Sequence, residues 1–223
     1  MLKRNVIETL TIIGFFSIIS IFTTMITNDL IHVIMIWNIW LSALVYLLAT
    51  YANSTVIQKI AMPVFIIYAL AWLFMFPNTF YVITDILHLT PYDFYVSTGY
   101  WTYTFVTDMS MYVALGHLFM TSLIGIYFGY QSLVLMHRAL VLRDFKVSRI
   151  IFFATVSFLS SIGIVIGRFL RFNSWDILLP WHIIQRVWSE WSDFYTQFVI
   201  LFFMVHLCII FSFEYLSHKR SDF

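Results

Sequence analysis

Residues 76–89, FPNTFYVITDILHL, place ionisable side chains in an otherwise apolar chain, and they decide how the fold is interpreted. If residues 78–89 are helical, four polar side chains recur at offsets of three, four and three and share one face: Asn78, Tyr81, Asp85 and His88. We call these four residues the polar stripe. The other faces carry Phe80, Val82, Ile83, Ile86, Leu87 and Leu89, and Thr84 lies beside the stripe. The spacing therefore predicts a buried helix with one ionisable face.

The composition indicates a membrane protein. Hydrophobic residues make up 61% of the 223 residues and charged residues 10%, against roughly 45–50% and 25% in soluble domains. The net charge of +1, with basic residues scattered along the chain, argues against a nucleic-acid partner. The single cysteine, Cys208, excludes an internal disulfide and a metal site built from several cysteines. We therefore expect a polytopic protein embedded in the lipid bilayer.

Six apolar runs are long enough to cross a bilayer, which takes roughly 20 residues of helix. They cover approximately residues 6–27, 30–51, 60–76, 109–136, 149–170 and 194–216. The first run has no cleavage pattern at its end, which favours an uncleaved span over a signal peptide. The predicted fold is an all-α bundle of six transmembrane helices, forming a single integral membrane domain over residues 1–223.

The distribution of lysine and arginine predicts the orientation of the bundle. One side carries nine of them, and the opposite side carries Arg168, Arg171 and Arg186. Since basic residues favour the cytoplasmic side, we expect a plasma-membrane protein with both termini in the cytoplasm. We call the opposite end of the bundle the outer end, and most acidic residues lie there.

Two connections at the outer end are expected to contain further helices. Pro77 marks the end of the third span, and a helix over about 78–89 rises only ~18 Å, too little to cross the hydrocarbon core. We therefore expect an interfacial or re-entrant helix packed against the bundle. The second connection carries tryptophans and charged residues at helical spacing, which predicts an amphipathic helix over about 178–193 on the outer membrane surface.

The polar stripe is the first candidate site. An ionised carboxylate at membrane depth is costly unless it is paired, so Asp85 needs a partner. Asp85 and His88 are candidates for acid–base catalysis or for holding a divalent metal, although two such residues do not define a metal site. Asn78, Tyr81 and Thr84 would bind the substrate. The alternative is that these side chains cap and join helices.

A second cluster lies at the outer end of the fifth span, where residues 167–176 read GRFLRFNSWD. The candidate substrate-binding residues here are Arg168, Arg171, Asn173 and Asp176. The two arginines share one helix face and could pair with Asp85 or bind an anionic headgroup through their planar guanidinium groups. The alternative is that they simply extend to the membrane surface. One geometric prediction follows: Asp85 lies within reach of Arg168 or Arg171.

The fourth span adds His117, on a helix face of small and polar residues about two turns from the outer end. His117 is a candidate substrate-binding residue, acting as a third ligand or a proton relay. The alternative is a hydrogen-bonded packing residue.

Pairs of glycines four residues apart occur in the fourth and fifth spans, Gly125 with Gly129 and Gly163 with Gly167. This spacing lets helix backbones approach closely. We expect these glycines to pack helices within the monomer rather than to form a dimer contact.

Together, residues 76–89 and 167–176 resemble a family of bacterial membrane proteins grouped as domain of unknown function 1361. In that family's pattern a P-N-x-x-Y-x-x-T-D-x-x-H segment precedes a G-R-x-x-R-x-N-S-W-D segment, and both are present here. The size and span pattern also agree, so the resemblance covers most of the chain. It implies a location and an architecture but no activity, and it favours one shared site built from both clusters.

The leading hypothesis is an outward-facing polar pocket that binds an anionic group, from a lipid or a lipid-linked phosphate. In an enzyme, a hydrolase or transferase, Asp85 and His88 would do the chemistry, and the arginines would neutralise charge. Asn78, Tyr81 and Asp176 would orient the substrate. The alternative is a non-catalytic transporter or accessory subunit in which the charged cluster is a gating or assembly ion-pair network. The cofactor is unknown from the sequence, and a divalent metal at Asp85 and His88 is one candidate.

Overall fold

Transmembrane helices make up most of the chain. The structure is a computed structural model that describes residues 2–172, 176 and 180–221, and it is 81% helical. The helices are α1 (Leu2–Thr27), α2 (Ile31–Ala52), α3 (Thr55–Lys59), α4 (Met62–Met75), α5 (Pro77–Tyr81), a 3₁₀ segment (Val82–Leu89), α6 (Met109–Val141), α7 (Arg149–Arg168), α8 (Pro180–Glu190) and α9 (Asp193–Ser221). Within the described residues, six helices are long and apolar enough to cross a membrane, counting Met62–Leu89 as one. The predicted all-α fold with six spans is confirmed, and the chain is a multi-pass membrane protein.

Helices α2 and α6 form the centre of the bundle and pack against each other and against α1. On α2 the buried apolar residues recur every three or four positions, as Met35, Ile39, Ala43, Tyr46 and Ala49 show. Helix α7 pairs with α9, and α5 packs against α2, α6 and α7. The region around α5 therefore connects the two halves of the bundle.

The third span is broken near its outer end. Helix α4 ends at Met75, and Pro77 begins α5, a position where the missing N–H of proline costs no helical hydrogen bond. After five residues the chain tightens into the 3₁₀ segment. The single helix expected over 78–89 is thus two short helices, continuous with the third span. Helix α4 alone rises about 21 Å, so Pro77–Leu89, which we call the inserted segment, completes the crossing of a hydrocarbon core roughly 30 Å thick.

Glycines on α6 and α7 make room for the inserted segment. A Cβ atom added at Gly125 would lie 2.6 Å from the Thr79 carbonyl oxygen, and one added at Gly163 would lie 2.5 Å from Pro77 Cγ. A Cβ atom added at Gly129 would lie 2.7 Å from the Phe80 ring. The expected packing role within the monomer is confirmed for these three glycines. Their partner is the inserted segment.

Serine hydroxyls from the central helices bind carbonyl groups of the inserted segment. Ser42 of α2 donates to the Asn78 carbonyl oxygen at 2.9 Å, and Ser122 of α6 donates to the Val82 carbonyl oxygen at 3.2 Å. Backbone carbonyls at membrane depth need such protein donors because water is absent from the hydrocarbon core. These bonds hold the inserted segment to both central helices.

Two further elements lie at the outer end. Strands β1 (Tyr95–Gly99) and β2 (Thr102–Phe105) pair antiparallel in a hairpin that the sequence analysis did not predict. Helix α8 covers most of the range expected for the amphipathic helix. Its Trp181, Ile184 and Trp188 are exposed, at the spacing of one helix face.

Candidate functional site

A buried ion pair joins the inserted segment to the end of α7. Arg168 Nη2 donates to Asp85 Oδ1, and Asn38 Nδ2 donates to Asp85 Oδ2 at 2.9 Å. The Asp85 side chain is 1% exposed and that of Arg168 is 15% exposed. Both carboxylate oxygens therefore have donors, as a buried charge requires. The prediction that Asp85 lies within reach of Arg168 or Arg171 is confirmed for Arg168.

Thr84 and Tyr81 fix the guanidinium group of Arg168. Its Nε and Nη2 atoms donate to Thr84 Oγ1 at 2.8 and 2.6 Å, and this hydroxyl donates to the Tyr81 carbonyl oxygen at 2.6 Å. Arg168 Cζ lies 4.1 Å from the centre of the Tyr81 ring, a cation–π distance. Only arginine offers a planar fork for both contacts. We call Asn38, Tyr81, Thr84, Asp85 and Arg168 the buried network.

His88 lies at the edge of the buried network. Its Nε2 is 3.9 Å from Asp85 Oδ1, and its side chain is 38% exposed. This separation is too long for a hydrogen bond, so direct proton exchange between the two groups needs a shift of His88. The acid–base roles of Asp85 and His88 stay a prediction.

The buried network limits where a metal could bind. Both oxygens of Asp85 already accept a hydrogen bond, so a metal ion there would compete with the charge of Arg168 for the carboxylate. Within residues 2–172, 176 and 180–221, no three His, Cys, Asp or Glu side chains converge closely enough to hold a metal ion. The geometry thus favours an ion pair over a metal ligand at Asp85.

His117 lies in a second polar cluster, apart from the buried network. Its Nδ1 is 3.1 Å from His32 Nδ1 and its Nε2 is 2.8 Å from Ser20 Oγ, while its ring stacks on Phe16 at 5.1 Å between ring centres. Helices α1, α2 and α6 each contribute to this cluster, and all three polar side chains are buried. These contacts match the packing alternative for His117, and its substrate-binding role stays a prediction.

The hydrogen bonds of this cluster predict its tautomers. Ser20 Oγ lies 2.8 Å from the Phe16 carbonyl oxygen, which has no proton to give, so the hydroxyl donates there and accepts from His117 Nε2. His117 Nδ1 then accepts from His32 Nδ1, and His32 Nε2 is a bare, buried acceptor without a partner in the described structure. In nitrogen NMR spectra of the histidine-labelled protein we expect an Nε2–H tautomer for His117 and an Nδ1–H tautomer for His32.

His206 provides the internal control for these spectra. It is also buried, but its Nδ1 lies 2.7 Å from the Phe202 carbonyl oxygen and its Nε2 lies 3.2 Å from Ser160 Oγ. His206 must therefore carry its proton on Nδ1. A spectrum in which His117 and His206 share one tautomer would contradict the proposed direction of the hydrogen bonds.

The other predicted residues have different surroundings. Arg171 is exposed with a φ of 59°, just beyond the end of α7 where glycine is usual, and it has no ion-pair partner among the described residues. Asp176 is half-buried. Asn78 Nδ2 donates to the Met75 carbonyl oxygen at 2.8 Å, which ties α5 to α4. Asn173 lies outside the described residues.

Sequence reasoning did not select Asn38, His32 or Ser20. A signal was present on α2, where Asn38 and Ser42 lie four residues apart in an apolar helix and both contact the inserted segment. The partners of Ser20 and His32 are on other helices, and nothing in the local pattern identifies them.

A cavity of about 800 Å³ lies at the outer end beside the buried network. It is lined by Phe172, Trp181, His182, Ile184, Gln185, Arg186, Trp188 and Ser189. Arg186 Nε donates to Glu190 at 2.8 Å, and both side chains are nearly half exposed. Phe172 follows the helix end that carries Arg168, with its backbone near Gly167. The cavity is thus lined by aromatic and polar side chains, among them one arginine.

The fold and the site define a polytopic α-helical membrane protein with a closed ion-pair network buried near one end of the bundle. The chain belongs to the family described as protein of unknown function (DUF1361), whose family model matches residues 37–210. This match includes both the inserted segment and residues 167–176, so the resemblance seen in the sequence is confirmed. Searches of curated proteins and of solved structures found no match for the chain.

Proposed function

We propose that the protein binds the anionic group of a lipid or of a lipid-linked phosphate at the outer end of the bundle. The observation that carries this proposal is the cavity between Phe172 and α8. Aromatic side chains such as Trp181 and Trp188 favour the headgroup layer, and the guanidinium of Arg186 suits two oxygens of a phosphate group. An amphipathic cavity of this kind fits a ligand with both an apolar and a charged part.

The charges favour this cavity over the buried network as the binding site. Arg168 is already paired with Asp85, so an anion there would have to displace a buried carboxylate. Arg186 pairs with the exposed Glu190, and exposed ion pairs contribute little. Its guanidinium also lies over the Phe172 ring of the cavity, 5.5 Å from the ring centre. Arg171, also exposed, directly precedes Phe172 of the cavity wall. We assign the initial contact with the anion to Arg186 and Arg171.

The proposal includes an orientation and a compartment. Nine lysine and arginine residues at the end of the bundle with the termini, against three at the other, support a plasma-membrane protein with cytoplasmic termini. The cavity would then face away from the cytoplasm, in contact with the outer leaflet.

The test replaces Arg186 by glutamine and measures bound lipid by mass spectrometry. Protein purified from bilayers of phosphatidylcholine and phosphatidylglycerol should retain phosphatidylglycerol selectively, and Arg186→Gln should lose most of this selectivity. Arg4→Gln is the matched control, because Arg4 and Glu8 form an exposed pair with the same i, i+4 spacing at the opposite end. Competition by inorganic phosphate would distinguish a site for the phosphate group alone from a site for a whole lipid.

Equal retention of phosphatidylglycerol by the wild type, Arg186→Gln and Arg4→Gln would refute binding in this cavity. Loss of selectivity in both variants would show a general effect of surface charge, which also contradicts a specific site.

A second candidate function is a non-catalytic transporter or accessory subunit in which Asp85 and Arg168 form a gating or assembly pair. The observation that favours it is that the charged groups of the buried network are already paired with each other. Both oxygens of Asp85 accept hydrogen bonds, and the face of the Arg168 guanidinium lies over the Tyr81 ring. If the ligand is instead a substrate, His88 is the more accessible of the two proposed acid–base residues.

A further inference from the structure

We propose that the β1–β2 hairpin inserts its aromatic face into the headgroup layer of the bilayer that the helices cross. The pairing places Tyr95 opposite Phe105, and Tyr103 opposite Ser97. Since side chains alternate along a strand, Tyr95, Tyr103 and Phe105 lie on one face. The rings of Tyr95 and Tyr103 meet edge to face with their centres 5.5 Å apart. This face is therefore a continuous aromatic surface.

The aromatic face is uncovered by the described part of the chain. Every residue of both strands is exposed, and the turn residues Tyr100 and Trp101 are 93% and 86% exposed. A two-stranded hairpin alone is at best marginally stable in water. A contact of the aromatic face outside the described chain would therefore add to the stability of the hairpin.

The base of the hairpin is fixed to the start of the transmembrane helix α6. Val106 N–H donates to the Phe94 carbonyl oxygen at 3.0 Å, and Tyr112 in the first turns of α6 donates to the Val106 carbonyl oxygen at 2.9 Å. Strands of four or five residues extend only about 15 Å. A hairpin attached to the start of a transmembrane helix can thus reach the headgroup layer along its whole length.

The chemistry of the hairpin fits the bilayer surface as the partner. Residues 94–107 contain no charged side chain, with Asp93 and Asp108 at either end. Tyrosine and tryptophan combine an apolar ring with a polar group and concentrate at membrane interfaces. Trp101 has a φ of 67°, a conformation that favours glycine or asparagine in a turn. A bulky indole at this position costs free energy, which burial in the headgroup layer would offset.

The test compares spin labels on neighbouring residues of β2 that point to opposite faces. In a Cys208→Ser background, which removes the single cysteine, Tyr103→Cys and Thr104→Cys are labelled separately. The full chain is then placed in vesicles of equal parts phosphatidylcholine and phosphatidylglycerol. We expect the label at 103 to be accessible to oxygen but shielded several-fold from a water-soluble nickel complex. The label at 104 should be accessible to the nickel complex.

Two outcomes would overturn the proposal. Equal access of the nickel complex to both labels would mean that the hairpin stands in water. Shielding of the label at 103 from both oxygen and nickel would mean that protein covers it, either a second copy or another partner. Tyr103→Cys itself removes one aromatic ring, so a second label serves as the control. Ser97→Cys lies on the same face and leaves all the aromatic residues in place. Its label must give the same result as the label at 103.

Discussion

Replacing Arg168 by methionine is expected to destabilise the protein by about 3–5 kcal/mol, because the buried carboxylate of Asp85 loses its charge partner. The Asp85 side chain is 1% exposed, so water cannot take the place of the guanidinium. Reversible unfolding in mixed micelles measures this loss. Arg186→Met is the matched control, since it breaks an exposed pair with Glu190 and should cost at most about 1 kcal/mol.

The double variant separates charge from packing. Asp85→Asn removes the unpaired charge, so in the Arg168→Met background it should restore most of the lost stability. If the double variant is as unstable as Arg168→Met, the loss arises from the contacts of Arg168 with Thr84 and Tyr81 instead. Recovery in the double variant would assign the loss to the buried ion pair.

Replacing Gly125 by valine is expected to cost about 3 kcal/mol, the upper end of the usual range for overpacking. The added Cβ atom would lie 2.6 Å from the Thr79 carbonyl oxygen, so the backbone of the inserted segment would have to move. Gly116→Val on the same helix is the control, because a Cβ atom there meets nothing within 4 Å. Thermal unfolding of both variants in one detergent measures the difference.

The Gly125→Val variant also tests how the buried network is held. If the inserted segment positions Asp85, then displacing it weakens the ion pair, and Gly125→Val combined with Arg168→Met should cost less than the sum of the two changes. Additive losses would show that the ion pair forms independently of this packing.

The class of fold was predictable from the sequence because membrane crossing requires long apolar runs, which composition alone reveals. The pairing of Asp85 with Arg168 was also predictable, since two buried opposite charges in an apolar protein need each other. The break at Pro77 was visible as a helix boundary. The change to 3₁₀ winding after Tyr81 was not, because it depends on hydrogen bonds and close packing from α2 and α6.

Other parts of the site depended on contacts between distant residues. The expectation of one site holding both arginines and His117 assumed that polar residues at the outer end converge. In the structure, Arg168 enters the buried network, Arg171 is exposed, and His117 contacts Ser20 and His32. The rotation of each helix about its own axis decides which side chains meet. Packing across the whole bundle sets this rotation. The hairpin was missed because its strands are only five and four residues long.

The inserted segment has a consequence for the order of events during synthesis. Its partners on α6 and α7, among them Gly125, Gly163 and Arg168, are translated after it. Until α7 has entered the membrane, Asp85 has Asn38 as its neighbour but lacks its counter-charge. We therefore expect Pro77–Leu89 to reach its final position only when the fifth span arrives, as a late step in biogenesis.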